Sequence, residues 1–125
     1  MIAVKRWDKP QPPTEAELIG LFRAEGLQPY RWSNGPGDVY PVHAHPYHKV
    51  LYVVRGSITF RFPDGRPPAE LKAGDRLDLP AGVEHDAVVG PEGVVCLEAH
   101  RPASGRPGLS KGPGTFPHQS GWWRR

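Results

Sequence analysis

Two periodicities divide the chain. Between residues 15 and 25, Leu18, Ile19, Leu21 and Phe22 form an apolar stripe at helical spacing. Thr14 is a candidate N-cap, Glu17 three residues on completes a capping box, and Gly26 suits the position just past the helix end. The spacing therefore predicts one short amphipathic helix over 15–25, packed on the rest of the fold. From Tyr30 onward the period shifts towards two. Residues 50–54 are β-branched and aromatic and end at Arg55-Gly56. Ile58, Phe60 and Phe62 then alternate with Thr59 and Arg61. Pro63-Asp64-Gly65, Ala73-Gly74-Asp75 and Pro80-Ala81-Gly82 are turn signals, with Pro setting φ and Gly supplying positive φ. Leu77 and Leu79 alternate with Arg76 and Asp78. Residues 85–89 and 94–99 read as two further strands joined by Gly90-Pro91-Glu92-Gly93. Short strands with frequent turns predict an all-β sandwich or barrel. Residues 3–7 are either an edge strand or loose. The chain thus divides into an arm and helix (1–29), a barrel (30–102) and a Gly/Pro-rich basic tail (103–125), flexible except where Trp122-Trp123 folds back or meets another subunit.

Composition refines this picture. The 125 residues suit one domain with a modest core. Gly (15) and Pro (16) are abundant, as in a turn-rich β protein with a loose extension. The net charge of +3 is local: residues 99–125 hold five Lys and Arg and no acid, which leaves the first 98 residues at −2. A basic tail without a basic folded face argues against nucleic-acid binding. One cysteine, Cys96, permits no internal disulfide and fits a reducing cytoplasm. No apolar run suits a signal peptide or a membrane span, so a cytoplasmic protein with no membrane partner is expected.

Three of the six histidines fall in the run His43-Ala44-His45-Pro46-Tyr47-His48. On a strand, residues i and i+2 point to one side, so His43 and His45 share a face. His85 opens a later strand that a closed barrel can bring beside them. Three neutral imidazoles suit a divalent transition metal: Fe, Mn, Ni, Cu or Zn. Gly-rich phosphate loops, Ser-centred triads and paired catalytic carboxylates have no signature here.

The spacing around these histidines resembles the cupin superfamily, over roughly residues 32–99. Its first motif, G(x)5HxH(x)3-4E(x)6G, is matched by Gly37, His43, His45 and Gly56. Its second, G(x)5PxG(x)2H(x)3N, is matched by Gly74, Pro80, Gly82 and His85. Eight of ten fixed positions agree. The resemblance implies a double-stranded β-helix (jelly-roll barrel), pairing of barrels into a homodimer, a small-molecule ligand, and a three-His, one-Glu metal centre. Only the histidines carry over: Lys49 stands at the Glu position and Val89 at the Asn position.

An ammonium cannot ligate a cation. Lys49 therefore turns away to the barrel mouth, loses its proton through burial, or binds an anionic group in a metal-free pocket. As a catalytic candidate it would orient an anionic substrate or act as acid or base. His48 is a rim residue, or a fourth ligand through a bulge. Leu51, Val53, Phe60 and Leu77 are expected to line the barrel, with Tyr47 and Tyr52 near the site. Tyr30 and Trp32 would cap an opening, and Cys96 or Glu98 would supply a polar group. Two functions follow. One is a metal-dependent oxygenase, isomerase or lyase acting on a small organic compound. The other is a non-catalytic binding or sensing module.

Overall fold

The computed structural model describes residues 1–102. The tail and its Trp122-Trp123 pair lie outside the described residues. The elements run β1 (Ala3–Lys5), α1 (Glu15–Ala24), β2 (Tyr30–Asn34), β3 (Val39–His43), β4 (Tyr47–Arg61), β5 (Ala69–Lys72), β6 (Arg76–Leu79) and β7 (His85–Pro102). All pairings are antiparallel, in the order β1-β6-β4-β7-β2, with β3 on β7 and β5 on β4. This is an all-β double-stranded β-helix with one short helix, as expected. The arm does supply an edge strand, shorter than the 3–7 allowed for it.

The helix forms where its caps dictate. The Thr14 hydroxyl accepts the Glu17 N–H at 3.1 Å, and the Glu17 carboxylate accepts the Thr14 N–H at 3.1 Å. Glu15 and Glu17 favour the positive end of the helix dipole. Gly26, at φ +74°, turns the chain out of the helix. Leu18 and Phe22 form the buried seam, each contributing about 1.5–3 kcal/mol. Leu21 departs from the expected stripe: it lies on the far side of the Leu18–Phe22–Ile19 face and is 41% exposed.

Two corrections concern the long strands. The sequence separates 50–54 from 58–62, and 85–89 from 94–99, yet each pair is one continuous strand. The reason is a change of phase. In β4, Leu51 and Val53 face the barrel interior before Gly56, and Ile58, Phe60 and Phe62 do so after it. In β7 the interior set passes from Ala87 and Val89 to Val94 and Cys96. The β4–β7 register shifts between Val53 and Arg55 and again between Gly56 and Ile58. Gly56, at φ +82°, makes this crossing possible, because a Cβ there would lie 2.0 Å from the Gly93 carbonyl oxygen.

Both faces of β4 and β7 are covered. The interior residues of both phases join Tyr40, Leu71, Leu77 and Leu79 in the barrel core. Val50, Tyr52, Val54, Val95, Leu97 and Ala99 face outward and bury the helix seam, where Phe22 meets Tyr52 edge-on at 5.2 Å. That double burial explains the unbroken apolar run at 50–54. It also places Tyr52 outside the barrel, away from the site.

Candidate metal centre

The registers of β3 and β7 bring the histidines together. His43 ends β3 directly opposite His85, the first residue of β7. His45 follows two residues later, and its carbonyl accepts the Gly82 N–H at 2.8 Å. That bond ties the Pro80-Ala81-Gly82 turn to the His45 backbone, so the turn sets His85 and His45 relative to each other. One ring nitrogen from each of His43, His45 and His85 lies within 4.8 Å of the other two.

Hydrogen bonds select which nitrogens converge. The His43 Nδ1–H donates to the Pro41 carbonyl at 2.6 Å, and the His85 Nδ1–H donates to the Val83 carbonyl at 2.9 Å. A carbonyl only accepts, so both rings are the tautomer whose Nε2 carries a lone pair. His45 Nδ1 lies 3.0 Å from the Tyr47 hydroxyl, and the two rings stack at 4.8 Å. All three Nε2 atoms are buried. Among the described residues the Nε2 of His85 has no hydrogen-bond partner. A buried lone pair left in that condition is costly in a folded protein unless something else satisfies it. Burial, with the Lys49 charge adding, pushes His45 down to about 2 and His85 to about 3. Burial also lowers His43. Three neutral imidazoles, two of them with tautomers fixed by backbone carbonyls, are the donor set a divalent transition metal takes, so these residues fit one.

Lys49 is fully buried, which overturns its placement at the barrel mouth. It lies on the same interior phase as Leu51 and Val53. Its Nζ is 3.8 Å from Glu98 Oε1 and 6.0 Å from the centre of the Phe60 ring, which in turn lies 5.9 Å from His85. Burial pushes the Lys49 pKa down, and the Glu98 charge pulls it back.

Glu98 is equally buried. It accepts from the Tyr30 hydroxyl at 2.9 Å and from Trp32 Nε1–H at 2.9 Å, and its Oε2 lies 2.6 Å from His100 Nε2. Burial would raise its carboxyl, but Lys49, His100 and Tyr30 outweigh it and hold Glu98 at about 2. Tyr30 and Trp32 thus serve Glu98 as well as flanking the interior.

His48 is excluded as a fourth ligand: its Nε2 lies 3.1 Å from Asp78 Oδ1, on the outward face with Arg76. Burial raises the Cys96 thiol well above its ordinary range, so it behaves as a small core residue. Of the two residues expected to supply a polar group, Glu98 does so. The sequence reading missed His100, which stacks on Tyr47 at 3.8 Å. Its even-numbered position, two beyond Glu98 on β7, was the available signal.

Residues 30–99, more than half the chain, match the Cupin domain family. The chain belongs to the cupin family. Over 66 residues this cupin is 32% identical to dimethylsulfoniopropionate lyase DddQ of Ruegeria pomeroyi, a match covering 53% of the chain and 32% of the lyase. The crystal structure of that lyase aligns with a TM-score of 0.55 at 26% identity, over 67% of this cupin and 40% of the lyase chain. An RmlC-like cupin from Shewanella frigidimarina aligns at TM-score 0.51 and 32% identity, over 59% of this chain and 64% of its own. The polyketide cyclase RemF of Streptomyces resistomycificus aligns at 0.52 and 25%, over 59% and 54%. This cupin therefore spans about a third of the length of the curated lyase it matches.

Proposed function

We propose that this chain is a metal-dependent cupin that uses His43, His45 and His85 as its three protein ligands and acts on a small organic substrate. The observation that carries this is the convergence of one ring nitrogen from each of His43, His45 and His85 to within 4.8 Å of one another, with His43 and His85 held through Nδ1 by backbone carbonyls. A divalent transition metal bound there would supply Lewis acidity, polarising a substrate oxygen in oxygenase, isomerase or lyase chemistry. The chain's own residues do the rest. Tyr47 holds the His45 ring by stacking and by its hydroxyl. Phe60, Leu51 and Val53 keep the interior apolar. Lys49 is the catalytic candidate, placing an ammonium where the family's motif places a carboxylate ligand. The similarity to a lyase and a cyclase supports chemistry on a small molecule.

A second reading is a metal-free or non-catalytic module that binds or senses a small molecule, and the Lys49–Glu98 ion pair favours it. Exposed Val39 and Val42 on β3 support a homodimer. Lack of an internal disulfide supports a cytoplasmic setting.

Metal analysis of protein purified without chelator tests the first reading, followed by titration of the apoprotein with Fe(II), Mn(II), Ni(II), Cu(II) and Zn(II). The reading predicts one equivalent in the wild type and loss of uptake in His85→Ala. Uptake far below one equivalent for every metal refutes it.

A further inference from the structure

The interior holds a charge balance that the metal reading alone does not use. The three histidines would ligate a metal as neutral imidazoles, two of them already donating Nδ1–H to backbone carbonyls. Lys49 and Glu98 carry opposite charges and face each other at 3.8 Å, both essentially inaccessible to water. Glu98 is not part of the histidine cluster found among the described residues. Its oxygens are directed instead to Tyr30, Trp32, His100 and Lys49. Its charge is therefore committed to holding the lysine rather than to offsetting a metal ion.

A divalent ion on the three histidines would leave this interior with two uncompensated positive charges. A carboxylate at position 49 would have removed one of them, whereas Lys49, offset by Glu98, removes neither. Uncompensated buried charge is strongly unfavourable, so the site is completed by a species that brings negative charge with it. Lys49 is linked to the centre through Phe60, whose ring lies 6.0 Å from Nζ on one side and 5.9 Å from the His85 ring on the other.

We propose that the site selects a small organic carboxylate, with Lys49 as the specificity-determining cation beside the metal and Glu98 as the residue that positions Lys49. This rests on the metal-binding reading above. The ammonium recognises the anion's charge, while Glu98, fixed by donors from two strands, keeps the lysine aimed across the interior rather than free to fold away.

The test uses the full chain loaded with Co(II), with lactate as the probe and lactamide as its uncharged counterpart. Calorimetry measures both affinities in the wild type and in Lys49→Met. Because Lys49→Met strands the Glu98 charge and risks unfolding, the double variant Lys49→Met/Glu98→Gln is measured alongside it. The Co(II) absorption spectrum reports whether the metal is retained. The expected result is loss of lactate affinity by about tenfold or more in the variants, the size of one charge-assisted hydrogen bond. Lactamide affinity should change by less than about twofold. Equal changes for both probes, or none, with Co(II) bound at one equivalent, overturn the inference and leave the metal reading standing. Failure of the wild type to take up Co(II) overturns the metal reading and the inference with it.

Discussion

Breaking the Lys49–Glu98 pair from either side should cost far more than removing both charges together. Each side chain is inaccessible to water, so either single substitution leaves a buried charge without its counter-ion. Such a change costs about 3–5 kcal/mol. The carboxyl of Glu98 is depressed in the same sense, by Lys49 together with His100 and Tyr30. Its pKa lies at about 2 against an ordinary 4.5, which corresponds to roughly 3 kcal/mol of preferential stabilisation of the charged form in the fold. Lys49→Met and Glu98→Gln should therefore each lower the melting temperature by on the order of 10–20 °C. The double variant keeps the volume and removes both charges, so its loss should be only about 1 kcal/mol. A urea-denaturation cycle on the four proteins measures the coupling, expected to exceed about 2 kcal/mol. Additivity of the single costs to within about 0.5 kcal/mol would refute the reasoning. The pH dependence carries a sign. Because the Glu98 pKa is depressed in the fold, its stabilisation is present above 4.5 and is lost as pH falls from 4.5 towards about 2. Glu98→Gln should lack that loss.

Two further outcomes follow from the backbone. Gly56→Ala places a Cβ 2.0 Å from the Gly93 carbonyl at a positive φ, so it should destabilise the fold by more than about 2 kcal/mol in urea, whereas Gly20→Ala, with open space around it, should not. Thr14→Ala removes the acceptor for the Glu17 N–H and should cost about 1 kcal/mol in the same assay, without changing metal uptake.

The barrel was legible because its turns carry their own chemistry. Gly65, Gly74 and Gly82 all adopt the positive φ that their turn sequences require. The histidine cluster was legible because strand parity is local for His43 and His45, and the motif spacing supplied His85. Strand continuity was not legible. The register shifts fall at Arg55-Gly56-Ser57 and Gly90-Pro91-Glu92-Gly93, polar glycine-containing segments that look like turns, so β4 and β7 each read as two strands. The position of Lys49 was equally hidden. Nothing near residue 49 in the chain announces a counter-ion, because Glu98 stands 49 residues away and meets it only through the β4–β7 register, where Glu98 faces Leu51 and His100 faces Lys49. Buried charge pairs are long-range facts, and their sequence signal is confined to matching parity on two strands not yet known to be neighbours.

The central claim is that His43, His45 and His85 hold a metal without a carboxylate ligand. A crystal grown with the metal that titrates to one equivalent, measured at that metal's absorption edge, tests it most directly. The account predicts one anomalous peak bonded to the three Nε2 atoms at about 2.0–2.1 Å if the ion is zinc, with Glu98 still bound to Tyr30, Trp32 and His100. A metal-saturated crystal with no peak at that centre, or a peak ligated by Glu98, would contradict it.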